Sequence, residues 1–144
     1  MPRSLRRSEL LDALEDYPGL VVQTSITEEW LETSARLVKD MQADMRCDWA
    51  VITAGKAGAA TANKPDVLRV PAFRVKVRHT HCAGAAFSGG LLYGLVRGWH
   101  MQDCLDLAAV SGALRCERAH NELMPTLDEL RSFMQSRRQA ASAA

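Results

Sequence analysis

Two short apolar runs, Leu20-Val21-Val22-Gln23 and Trp49-Ala50-Val51-Ile52-Thr53, stand on either side of a long amphipathic stretch. Runs of that length read as buried strands, and a helix between them restricts the chain to an α/β arrangement in layers. Ahead of the first run, Leu10, Leu11 and Leu14 share a helical face from about Ser8 to Asp16, stopped by Tyr17-Pro18-Gly19. After it, Ser25 with Glu28 makes a capping box. The box predicts a helix running to about Ala43, with Trp30, Leu31, Ala35, Leu37, Val38 and Met41 on its buried side.

The second apolar run ends in a glycine-punctuated turn, Gly55-Lys56-Ala57-Gly58. Short pieces with strand character follow at Ala59–Ala62, Val67–Val70 and Arg74–Val77, the last by its alternation of charged and apolar residues. Then comes His79-Thr80-His81-Cys82-Ala83-Gly84-Ala85, leading into an apolar helix through Phe87, Leu91, Leu92, Leu95 and Val96 that Gly98 closes. A further helix is expected from about Met101 to Arg118. Thr126 with Glu129 caps a last one through Leu127, Leu130 and Phe133, and the tail 136–144 is expected to fray.

The length of 144 residues suits one domain with one core. A net charge of +1 gives no field to steer the chain onto nucleic acid or an acidic membrane. Arg3, Arg6, Arg7, Arg137 and Arg138 read as solvated charge near the ends. No apolar run approaches the ~20 residues of a membrane span, and the start shows no signal-like segment. Cys47, Cys82, Cys104 and Cys116 form no C-x-x-C pair, so reduced thiols and a cytoplasmic location are expected.

Three segments together resemble one family, the ribokinase/PfkB carbohydrate kinases. Val51-Ile52-Thr53-Ala54-Gly55-Lys56-Ala57-Gly58 is similar to the family's T-x-G-x-x-G segment, which lies beside the nucleotide. His79 to Phe87 is similar to D-T-x-G-A-G-D-x-F, with Thr80, Ala83, Gly84 and Phe87 in register. Gly89-Gly90-Leu91-Leu92-Tyr93, Asp106-Leu107-Ala108 and Pro125-Thr126 follow in the family's order. The resemblance implies an α/β fold: a partial ribokinase-like layered sheet with helices on both faces, lacking the N-terminal sugar-binding half and lid. It also implies ATP and Mg²⁺ as cofactors, with Thr53, Gly55, Gly58, Cys82, Ala83 and Gly84 as nucleotide- and phosphate-binding positions. The expected partner is a second copy of the chain or a complementary kinase half.

The departures fall where the chemistry should be. The family's general base is the last Asp of its motif; here Ala85 stands there, and a methyl group accepts no proton. His79 replaces the first Asp, so no carboxylate lies between Arg78 and Trp99. Cys82 replaces a glycine, which disfavours positive φ. His81 is a surrogate base only from several residues ahead of the turn. Ser25-Ile26-Thr27-Glu28 resembles the family's N-x-x-E, leaving Glu28 as a Mg²⁺-linked candidate that capping explains equally well. His79, His81 and Cys82 offer metal-ligand types without the spacing of a four-ligand site. Trp30, Trp49 and Trp99 read as core or core-edge residues. The function expected is a kinase-like remnant with little or no sugar phosphotransferase activity; the alternatives are a regulatory or assembly module and one half of a split kinase.

Overall fold

A computed structural model of the chain describes residues 21–27, 30–119 and 121–142. The helix expected over 8–16 lies outside the described residues, and so does Glu28. The first apolar run is strand β1, Val21–Ser25; the second is β2, Trp49–Thr53. They pair in parallel, Val21 opposite Trp49 through to Ser25 opposite Thr53. A parallel pair needs a crossover, and helix α1, Leu31–Met45, supplies it. β3, Ala59–Ala62, and β4, Val67–Val70, add antiparallel strands in the spatial order β1-β2-β3-β4.

Side chains alternate across the sheet, and both faces are covered. Ala50, Ile52, Ala60 and Ala62 face one way, against Ala35 and Val38 of α1. Val51, Ala59 and Val70 face the other way, against Phe87, Leu91, Leu105 and Ala108. Those residues belong to α2, Ala83–Val96, and α3, Met101–Glu117. A strand buried on both faces reads as an unbroken apolar run, which is why β2 carries no polar residue before Thr53.

α2 and α3 touch backbone to backbone. A Cβ built on Gly90 would lie 2.9 Å from Cα of Ala108, and one on Gly94 would lie 2.6 Å from Sγ of Cys104. The close packing therefore falls on Gly90 and Gly94; Gly89 faces open space. Helix α4, Leu127–Ser142, closes the molecule by setting Leu130 against Leu107 and Val110. Its capping box forms as expected: the Thr126 amide donates to Glu129 Oε2 at 2.7 Å, and the Glu129 amide to Thr126 Oγ1 at 3.3 Å. Arg118, hydrogen-bonded to the same carboxylate, together with the Thr126 amide holds Glu129 below its ordinary pKa.

Four expectations are corrected. Ser25 does not cap a helix: it is the last residue of β1, its hydroxyl is bonded to Thr53, and α1 starts only after Trp30, without a side-chain cap. Trp30, just outside the helix, is 73% exposed rather than buried. Leu37 is exposed as well, because the buried stripe runs through Ala35, Val38 and Gln42 and Leu37 lies about 100° around from Val38. Arg74–Val77 is not a strand. Its neighbourhood is tied to helices: the Arg137 guanidinium donates to the Arg74 carbonyl at 3.0 Å, and the Arg78 amide to the Cys116 carbonyl at 2.7 Å. In the tail, helix α4 continues to Ser142. No helix among the described residues is long and apolar enough to cross a membrane.

The α2–α3 contact generates a test. Gly90→Val should destabilise the fold by about 1–3 kcal/mol through overpacking, read as a lowered urea midpoint at unchanged slope. An unshifted midpoint would mean that the two helices separate without cost.

Candidate functional site

Because β1 and β2 run parallel, their C-terminal residues Ser25 and Thr53 lie side by side at one end of the sheet. Ser25 Oγ and Thr53 Oγ1 are 2.7 Å apart, and the Ile26 amide donates to the Thr53 carbonyl at 2.9 Å. Crevices outside the carboxyl ends of parallel strands are where open α/β sheets bind ligands. The turn after Thr53 is a single 3₁₀ turn, Gly55–Ala57, closed by the Ala54 amide donating to the Gly58 carbonyl at 2.8 Å.

The two glycines of this turn are required for different reasons. Gly58 has φ +113°, and a Cβ there would sit 2.1 Å from the Val70 carbonyl oxygen, so packing against the end of β4 explains it. Gly55 has φ +50° and nothing within 4 Å of its Cβ direction. Of the pair, Gly55 leaves room for an approaching group.

The second motif forms the entry to α2. Cys82 is the N-cap, with φ 64° and ψ 11°. The chain therefore takes the left-handed conformation that a glycine would adopt freely, and takes it with a side chain, despite the expectation that cysteine disfavours it. Gly84 has nothing within 4 Å of its Cβ direction, and Gly84 and Ala85 are exposed on the first turn. The first amides of a helix lack intrahelical acceptors and carry the positive end of its dipole, an arrangement suited to an anion. The approach is anchored by the bond from the Arg78 amide to Cys116 and by an ion pair from Arg78 to Glu122 at 3.6 Å. The His81 amide donates to His79 Nδ1 at 3.1 Å, so the two histidines of the motif hold each other in the turn.

One contact joins the two segments, and sequence reasoning missed it. Gln23, two residues before Ser25, accepts at Oε1 a hydrogen bond from Ser88 Oγ of α2 at 3.2 Å. The signal was present: in a period-2 strand Gln23 shares a face with Val21, where an apolar residue would be expected.

The structure places no carboxylate on the first turn of α2. Asp103, the next one along the chain, opens α3 at the far end of the α2–α3 hairpin. There it lines a surface groove of ≈ 850 Å³ with His100, Arg131 and Arg138, which contains none of the candidate residues. Asp106, raised above its ordinary pKa by burial and hydrogen-bonded to Gln102 at 3.0 Å, also belongs to α3. Among the described residues no group of three or more His, Cys, Asp or Glu is placed to hold a metal. Burial pushes the Cys47, Cys104 and Cys116 thiols up, while Cys82 is exposed.

The strain at Cys82 can be measured. Cys82→Gly should stabilise the fold by about 1 kcal/mol, the cost of a left-handed non-glycine residue, as a raised urea midpoint. An unchanged or lowered midpoint would show that the cysteine side chain offsets the strain through contacts of its own.

Comparison with known proteins gives this geometry a setting. Residues 20–126 match the profile described as pfkB family carbohydrate kinase. The 5-dehydro-2-deoxygluconokinase of Clostridium perfringens is 27% identical over 127 residues, which are 84% of this chain and 34% of that protein. The crystal structure of aminoimidazole riboside kinase from Salmonella enterica, complexed with aminoimidazole riboside and an ATP analog, superposes with a TM-score of 0.61 at 27% identity. It covers 79% of this chain and 41% of that one. The nucleoside kinase of Methanocaldococcus jannaschii, an archaeal member of the ribokinase family, shares the fold at a TM-score of 0.70 and 21% identity, over 90% and 43% of the two chains. The chain thus spans about a third of the length of the curated relatives it matches.

Proposed function

The chain belongs to the pfkB family of carbohydrate kinases, and we propose that it keeps the nucleotide-binding part of such a kinase with little or no sugar phosphotransferase activity of its own. The observation that carries this is Ala85, exposed on the first turn of α2 where the family's motif ends in its catalytic Asp. Phosphoryl transfer rests on positioning and on charge stabilisation. The positioning elements are present in kind: amides at the start of α2, an open approach at Gly84 and Gly55, and paired hydroxyls at Ser25 and Thr53. The proton acceptor is not. Loss of a general base costs about 10²–10⁴ in rate.

ATP is the nucleotide we propose, supported by family membership and by the ATP analog in the Salmonella enterica kinase complex. Mg²⁺ fits less well. The described residues put no carboxylate on the α2 entry, and Glu28 lies outside them, so no step is assigned to the metal. The free thiols support a reducing, cytoplasmic setting.

With ribose, fructose or a nucleoside as acceptor, the purified chain is expected to show no ATP consumption above a no-enzyme control. Ala85→Asp alone should not restore it, because Cys82 and His79 still depart from the motif. Calorimetric titration with ATP should nevertheless show weak binding. Sugar-dependent turnover by the parent chain would overturn the proposal, and recovery in the single mutant would mean that the other departures carry no weight.

A second reading, that the chain works in an assembly, is favoured by a surface. β1 lies at one end of the strand order, and Ala85, Gly89, Leu92 and Val96 form an exposed apolar stripe along α2, Leu92 at 58% and Val96 at 81%. Open strand edges and apolar stripes are closed by pairing with another chain. A second copy or a complementary kinase half would serve. Light scattering behind size exclusion at micromolar concentration should give a mass above the 15.9 kDa of one chain. A stable monomer would count against self-association.

A further inference from the structure

We propose that Gln23 is a positioning residue for the nucleotide site, fixing the first turn of α2 to the sheet end that carries Ser25 and Thr53. Val21, on the same face of β1, packs into the apolar core with Phe87 and Leu91. An amide at the next inward position gives up that gain, and a half-buried polar group needs a partner. Gln23 finds it in Ser88: Ser88 Oγ lies 3.2 Å from Gln23 Oε1 and 3.0 Å from the Gly84 carbonyl oxygen.

A hydroxyl has one proton to donate. Left to the helix alone, Ser88 bonds back to the carbonyl four residues earlier, an interaction that bends helices and loosens them slightly. Here that proton is shared, in a three-centre bond, between the Gly84 carbonyl and Gln23 Oε1 from the strand. The Gly84 carbonyl belongs to the turn that presents Gly84 and Ala85, and Gln23 stands two residues before Ser25, which is bonded to Thr53. The path from Gly84 through Ser88 and Gln23 to Ser25 and Thr53 therefore sets the spacing between the two candidate segments. Gln23 touches no reacting atom in this role; it acts through Ser88.

The proposal rests on the nucleotide reading above, and two readouts separate their failures. Gln23→Met keeps the length of the side chain without the amide, Ser88→Ala removes the hydroxyl, and Ser88→Thr retains it. In the nucleotide-free protein, the backbone amides of Ala86, Phe87 and Ser88 should exchange roughly twofold to tenfold faster in Gln23→Met and in Ser88→Ala, as the loss of one hydrogen bond implies. ATP affinity by calorimetry should fall by the same factor in each. The double mutant should be no worse than Ser88→Ala, which already removes the whole three-centre bond, and Ser88→Thr should behave as the parent. Unchanged exchange in Gln23→Met overturns the proposal whether or not ATP binds, and so does a double mutant whose losses multiply. If the parent binds no ATP, the nucleotide reading fails and the exchange measurements alone decide whether Gln23 holds the turn.

Discussion

Everything at the candidate site depends on how closely α2 lies against α3. Gly90 over Ala108 and Gly94 over Cys104 bring the two helices to backbone contact, and Gly112 continues the seam to within 3.3 Å of the Ala83 carbonyl, measured from its built Cβ. Interiors are packed as densely as organic crystals, so a side chain inserted anywhere along this seam must displace a helix. The start of α2 is thereby held by packing along the seam and, one turn on, by the bond from Ser88 to Gln23, while the Arg78 amide ties the approach to Cys116. The site is built on a stiff element, with its chemical residues at the loose margin.

That division explains what the sequence made legible. β2, β3, β4, α2, α3 and the α4 cap were readable because local signals agree with the packing there: unbroken apolar runs where both sheet faces are covered, glycines where backbones meet, a capping box whose two residues each bond the other's amide. Ser25 failed the same logic because its hydroxyl had two possible uses, a helix cap or the side chain of Thr53, and only tertiary pairing decides between them. Arg74–Val77 alternates like a strand, yet the neighbouring backbone groups of Arg74 and Arg78 are taken by Arg137 and Cys116 from distant helices. Pairing over 63 and 38 positions of sequence leaves no local trace.

The candidate site was legible in its glycines, less so in its geometry. Gly55 and Gly58 look equivalent in sequence, but one is fixed by the end of β4 and the other opens outward. Gln23 and Ser88 carry no motif at all; they emerge only from the distance between a strand and a helix. Cys82 shows the opposite case. Its backbone is left-handed without being glycine, which means that the surrounding contacts, and not the local residue alone, dictate the turn.

The same cysteine gives the molecule a built-in probe. Of its four thiols, Cys47 and Cys104 are buried and Cys116 half-buried, and burial keeps all three protonated to higher pH; Cys82 stands in the open at the mouth of α2. Thiolates are the species that react with maleimides and iodoacetamides, and access governs the rate. A fluorophore or spin label can thus be placed beside Gly84 in the unmutated chain, where its mobility and polarity report directly on the surroundings of the first turn of α2.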